Sequence, residues 1–180
     1  MTTPAQDASC GCYGWYWGQL SHIGLVAALM TFAVDQAHKW WMILGVGMTE
    51  GDRFSLLPFL DIVFVKNTGI SYSLFDDGSM SWQFVLAAFA CAASVVMWVW
   101  LSRPDTRWLA VLSLGLIIGG ALGNALDRVL LGGVADFFQL HGFGRSWYVF
   151  NVADVAIVAG VIGLLYDSIV LSRKGAAKAP

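Results

Sequence analysis

Residues 155–166 read VAIVAGVIGLLY, without a single charged or amide side chain. A run this apolar is stable only in a protein core or in lipid, and its neighbours decide between the two. A hydrocarbon layer about 30 Å thick needs roughly 20 apolar residues to cross it as a helix. Four segments meet that length: 20–48, 82–101, 108–131 and 147–171. The first is interrupted by Asp35 and Lys39, the second carries no charge, and the third and fourth carry charge mainly near one end. At 58% hydrophobic and 12% charged residues, with nine Trp, the chain is too poor in charge for an ordinary soluble domain. The expected fold class is an all-α membrane protein. One four-helix domain spans residues 20–171, between an N-terminal tail (1–19) and a C-terminal tail (172–180).

An apolar run beginning near Leu20 could imitate a signal peptide. Before it stands only Asp7, with no basic residue, and no A-x-A-like site follows, so the first helix is expected to be retained. The ASC at residues 8–10 imitates a lipoprotein processing site but has no apolar region before it. Cys10, Cys12 and Cys91 are too few and too scattered for a disulfide framework, and with His22, His38 and His141 they suggest no metal site. A net charge of −2 and the lack of a Lys/Arg run exclude a nucleic-acid footprint.

Arg103 and Arg107 lie between the second and third spans, and Arg173, Lys174 and Lys178 lie in the tail. Acids outnumber bases across segments 48–81 and 132–146 taken together. The positive-inside rule then puts both termini in the cytoplasm and both longer segments outside. In the first of these, FLDIVFVKNTGISYSLF has two β-prone runs, 59–65 and 70–75, separated by a turn-like KNTG. A small extracytoplasmic sheet is expected there, between the first two helices (about residues 50–80). Gly115, Gly119 and Gly123 recur every four residues, which marks a seam for close helix approach.

The polar residues of the spans converge in depth. Asp35 and Lys39 share a helix face, as do Asn124 and Arg128, with Asp127 beside them. Asp136 follows as the chain leaves the third span, and Asn151 and Asp154 stand at the entrance to the fourth. A charge at the centre of a spanning helix costs about 2.5–3.5 kcal/mol on insertion scales, so several at one level point to a site. Blander readings exist: a helix-face ion pair for Asp35 and Lys39, a headgroup contact for Arg128, an N-cap for Asn151, an interfacial charge for Asp167, and solvated loop acids for Asp61, Asp76 and Asp77. Asp136 with Asp154 resists them, because packing does not call for two carboxylates at one depth on adjacent elements. A proton-coupled transporter or channel subunit would also use intramembrane charge. Against it, the second span has none and the fourth has none between Asp154 and Asp167.

DQAHK at 35–39, KNTG at 66–69, GNALDRVLLGGVADFF from Gly123 and FNVAD from Phe150 resemble, in order and spacing, the lipoprotein signal peptidases, the type II signal peptidases of bacteria. The resemblance covers residues 20–171. It implies a monomeric aspartic endopeptidase of the bacterial inner membrane, with its site on the outer side. Such an enzyme works without cofactor or metal and removes signal peptides from prolipoproteins N-terminal to a diacylglyceryl-modified cysteine. It implies Asp136 and Asp154 as the catalytic pair, and Asn124, Arg128 and Asn151 as lining residues with Asp127 adjacent. Asp35 and Lys39 would hold substrate or structure, and Asn67 and Gly69 would form the turn of the sheet that cradles the lipoprotein. Membrane lipid is the implied surrounding partner, and globomycin the implied blocker of the groove. Two departures touch only the shape of that groove: Ile70, Ser71 and Tyr72 where small residues and Phe are common, and His38 where a hydroxyl residue is common.

The orientation is directly testable. A reporter active only outside the cytoplasm should work when fused near Gly142 or Asp77 and fail near Pro104 or after Lys178. Activity at Pro104 would invert the assignment.

Overall fold

The computed structural model describes residues 17–69 and 79–171. Its four helices are α1 (Ser21–Trp40), α2 (Met80–Leu101), α3 (Trp108–Leu131) and α4 (Val152–Tyr166). Wider-wound π turns extend α1 over Trp41–Gly45 and α4 over Asp167–Leu171. Between them lie β1 (Arg53–Leu57), β2 (Leu60–Asn67), β3 (Val134–Gly142) and β4 (Arg145–Phe150). Among the described residues, three helices are long and apolar enough to cross a membrane: Met80–Leu101, Trp108–Leu131 and Val152–Val170.

Helix α3 is the hub, packed against α1, α2 and α4. Its glycines explain how. A Cβ on Gly115 would lie 2.6 Å from the carbonyl oxygen of Gly24, one on Gly119 would collide with the carbonyl of Ala28, and one on Gly123 would sit 2.7 Å from Asp35 Oδ2. The expected seam is thus the α1–α3 contact. Gly120 makes the corresponding approach to Ala153 of α4, at 2.7 Å from its carbonyl oxygen. Helices without side chains between them gain close backbone packing, which matters in a medium as apolar as leucine itself. Apolar side chains fill the far half of the bundle, where Ala28, Leu101, Val111, Leu114 and Ile118 form one core.

The second core joins helix to sheet: Met42, Met48 and Ile62 pack on Ala135 and Phe137. The sheet is antiparallel in the order β1-β2-β3-β4. Both outer segments contribute strands, which corrects the all-α class and the hairpin expected between α1 and α2 alone. The 59–65 run does become β2, but its hairpin partner is β1, with Leu57 opposite Leu60. Lys66 and Asn67 of the supposed turn remain in the strand because they pair with Ala135 and Val134 of β3. The chain turns just after, where Asn67 Oδ1 accepts the Gly69 N–H at 3.2 Å. The second β-prone run, with Ile70, Ser71, Tyr72, Asp76 and Asp77, lies outside the described residues, as do Cys10, Cys12 and the basic tail.

The span expected over 147–171 is also divided. WYVF belongs to β4 and the helix starts only at Val152, because an aromatic, β-branched run reads the same in a strand as in a buried helix. Two residues expected to be solvated or interfacial are buried instead. Asp61 accepts from Ser55 Oγ at 2.7 Å and lies 3.1 Å from His141 Nε2, within reach of Arg53. Asp167 pairs with Arg107 at 3.2 Å.

The seam predicts a selective sensitivity. Gly119→Leu should cost about 1–3 kcal/mol by overpacking and lower the unfolding temperature in detergent. Gly142→Ala, with no atom within 4 Å of the added carbon, should leave it unchanged.

A candidate active site between the helix bundle and the sheet

The helix α4 begins with a reciprocal cap. Asn151 Oδ1 accepts the Asp154 N–H at 2.9 Å, and Asp154 Oδ2 accepts the Asn151 N–H at 3.2 Å. Two orphan donors of the first turn are satisfied, and the Asp154 carboxylate is held against the helix start. Asn151 is therefore an N-cap, as its blander reading has it, and more besides. Its buried side-chain Nδ2 reaches Asp136 Oδ1 at 2.7 Å and Asn124 Oδ1 at 3.1 Å. One asparagine thus touches both carboxylates.

Asp136 sits on β3, four residues beyond the left-handed Gly132 (φ 72°) that ends α3. It is 1% exposed. Its second oxygen accepts from Asn67 Nδ2 at 3.2 Å, placed opposite by the β2–β3 register, in which Asn67 faces Val134 and Val65 faces Asp136. Asn124 of α3 donates to Asp154 Oδ1 at 3.0 Å. All four oxygens of the two carboxylates therefore accept an N–H. Burial, then the nearby Asp154 charge, pushes the Asp136 carboxyl up to about 7 against the opposing bonds from Asn67 and Asn151.

Beneath this pair lies a buried ion cluster. Lys39 Nζ is 2.8 Å from Asp35 and 2.6 Å from Asp127, and it donates to Asn124 Oδ1 at 3.0 Å. The ammonium has three protons and three partners. Each carboxylate also fixes a backbone turn: Asp35 accepts the Ala153 N–H of α4 at 2.9 Å, and Asp127 accepts the Ala135 N–H of β3 at 3.2 Å. The helix-face pair expected for Asp35 and Lys39 is real, but it is a core element linking α1 to α3, α4 and the sheet. Asp127 is integral to it, where the sequence suggested only adjacency.

Arg128 binds inward, its Nη1 to the Asn124 carbonyl at 3.2 Å and its Nη2 to the Gly69 carbonyl at 3.3 Å. Gly69 is thereby tied to the site through its backbone. Gln36 escaped the sequence reading. Its Nε2 donates to Asp127 Oδ1 at 2.9 Å and to the Gly123 carbonyl at 3.2 Å. The signal was present, since an amide within an apolar span asks for a partner. Beside the pair, Val65, Asn67, Gln139, Trp147 and Val149 line a groove of ≈ 270 Å³ that reaches Asp136.

Apolar helices around a glycine-packed hub, with a sheet laid over buried carboxylates, define the chain as a membrane enzyme. Two solved bacterial membrane enzyme structures share the fold, each at a TM-score of 0.68. One is 29% identical, covering 88% of this chain and 92% of its own, and the other is 28% identical, covering 86% and 97%. The particular family follows from sequence. The signal peptidase II family profile matches residues 27–170, and the chain belongs to that family. Its relatives include a lipoprotein signal peptidase of Methylocella silvestris, 48% identical over 84% of this chain and 88% of the relative. Another, of Methylorubrum extorquens, is 50% identical over 81% and 85%.

The ion cluster predicts a large, partner-dependent cost. Lys39→Met leaves two buried carboxylates without their cation and should destabilise by about 3–5 kcal/mol, read from thermal unfolding in detergent. Adding Asp35→Asn and Asp127→Asn should recover part of the loss.

Proposed function

We propose that this chain removes signal peptides from prolipoproteins with Asp136 and Asp154 as its acid–base pair. Family membership and the named relatives support the activity. The observation that carries the mechanism is that Asn151 donates to both carboxylates at the mouth of α4, to Asp136 from its side-chain NH₂ and to Asp154 from its backbone N–H. Two carboxylates held so near one another do not both ionise cheaply, so one proton serves the pair. One member takes a proton from the attacking water while the other hydrogen-bonds the scissile carbonyl oxygen as its charge grows. The reaction needs no metal or organic cofactor.

The cut falls N-terminal to the diacylglyceryl-modified cysteine, on the outer side of the bacterial inner membrane, and the enzyme acts as a monomer. Supporting this placement, α1 would be the fourth span, with Asp35 and Lys39 hidden in the bundle from lipid. The diacylglyceryl chains then stay in the bilayer while the adjacent peptide bond enters beside the pair, so lipid binding becomes positioning of the reacting group. Globomycin would compete for the same groove.

Asp136→Asn and Asp154→Asn should each abolish nearly all cleavage of a lipidated prolipoprotein, with the double variant little worse. Glu50→Gln, at an exposed site, should keep wild-type turnover. A prolipoprotein with Ser in place of the target Cys should stay uncut even in detergent, and chelators should not slow the enzyme. Substantial turnover by folded Asp154→Asn would remove the aspartic mechanism.

The pH profile has a defined sign. With the Asp136 carboxyl at about 7, the shared proton leaves as pH rises through that value, so kcat/KM should fall above it. It should also fall at low pH, where the pair binds a second proton and loses its base. A rate still climbing between pH 7 and 9 would contradict a one-proton pair.

A further inference from the structure

If Asp136 and Asp154 are the acid–base pair, they must differ, because one has to hold a proton that the other lacks. Their oxygens are equally supplied with donors, so the difference lies in what stands behind those donors. Asn124 is decisive. An ammonium can only donate, so the Asn124 atom facing Lys39 Nζ at 3.0 Å must be its carbonyl oxygen, and the NH₂ must then face Asp154 Oδ1. An amide whose carbonyl accepts from a cation is polarised into a stronger donor. The other Asp154 oxygen takes the Asn151 backbone N–H in the first turn of α4, where the helix favours negative charge.

Asp136 has neither support. The carbonyl of its Asn67 donor accepts the uncharged Gly69 N–H, at 3.2 Å, and that of its Asn151 donor accepts the Asp154 N–H. It lies on a strand and is the more buried of the two. The other charged groups facing the pair are Asp35 from α1, Asp127 and Arg128 from α3, and, through its effect on Arg128, Tyr148 from β4. Asp35 and Asp127 share the single Lys39 ammonium. Arg128 acts on both members with the same sign.

We infer that Lys39, acting through the Asn124 amide, is a positioning residue that divides the labour: Asp154 is the carboxylate that activates water, and Asp136 is the protonated acid. The inference rests on the catalytic reading of the pair. In the forward step Asp154 takes a proton from water, the water oxygen bonds to the scissile carbonyl carbon, and the Asp136 proton passes to the carbonyl oxygen, giving a neutral gem-diol. On collapse the C–N bond breaks, the proton on Asp154 goes to the leaving amine of the lipidated cysteine, and a diol proton returns to Asp136. The signal peptide leaves with a new carboxyl group, and both aspartates regain their starting states.

The test uses the full chain in detergent, with ¹³Cγ-labelled aspartate and signals assigned by their loss in Asp136→Asn and Asp154→Asn. Near pH 6 the Asp154 signal should be at the ionised position and the Asp136 signal at the protonated one. The reverse overturns the inference. Asn124→Leu keeps both carboxylate partners of Lys39 but cuts the link to Asp154. It should move the acidic limb of kcat/KM up by about one pH unit, about a tenfold loss at low pH, with a smaller loss at the optimum. A uniform loss with an unmoved limb would make Asn124 merely structural.

Asn124→Asp, which preserves shape and the Lys39 contact while facing Asp154 with a carboxylate, provides a second reading should the Leu variant not fold. Its Asp154 signal should move toward the protonated position, and an unmoved signal overturns the relay. The two levels separate cleanly. Cleavage by Asp154→Asn would sink the catalytic pair itself, whereas inactive Asp→Asn variants with unmoved Asn124 readouts would sink only the relay.

Discussion

The structure depends on one buried cation. Lys39, 1% exposed, holds Asp35 and Asp127 in place and orients Asn124. Those two carboxylates in turn cap a backbone N–H at the start of α4 and another at the start of β3. Asp154 and Asp136 each follow the capped residue directly. The positions of the two carboxylates are thereby referred to the same ammonium from opposite sides, by way of backbone that cannot move without breaking a charge-assisted bond. Such a cluster is costly to desolvate, and its value lies in geometry more than in net stability.

Close packing makes the cluster reachable. A lysine near the end of α1 can touch residues of α3 only if the helix axes approach closely, and the glycines at 115, 119 and 123 permit that approach. Gly123 also makes room for the Asp35 carboxylate itself. Small residues here serve both lipid-phase packing and charge placement. The sheet closes the arrangement from above, with Phe137 and Ala135 packed on Met42 and Met48 while the intervening Asp136 contacts the polar layer.

This division also explains the membrane register. Polar side chains gather where the bundle meets the sheet, and the exposed flanks of the helices carry apolar residues such as Val26, Leu29, Phe89, Val96 and Ile162. The groove beside Asp136 is bounded by β2, β3 and β4.

By itself the sequence determined the apolar character of the helices, the glycine seam and most of the polar residues that gather at the candidate site, because lipid tolerates so few alternatives for each. It did not determine the sheet. The WYVF run passes equally for helix, KNTG passes for a hairpin turn, and only pairing with residues 134 and 135 draws Lys66 and Asn67 into β2. Nor did it reveal that Asp61 and Asp167 are buried and partnered, since a loop acid and a core acid look the same until their neighbours are known. Above all, spacing could show that Asp35 and Lys39 share a face and that Asn124 lies at their depth. Which amide atom faces which carboxylate was decided by tertiary contacts between helices more than 80 residues apart in sequence, because a hydrogen bond is directional and periodicity is not.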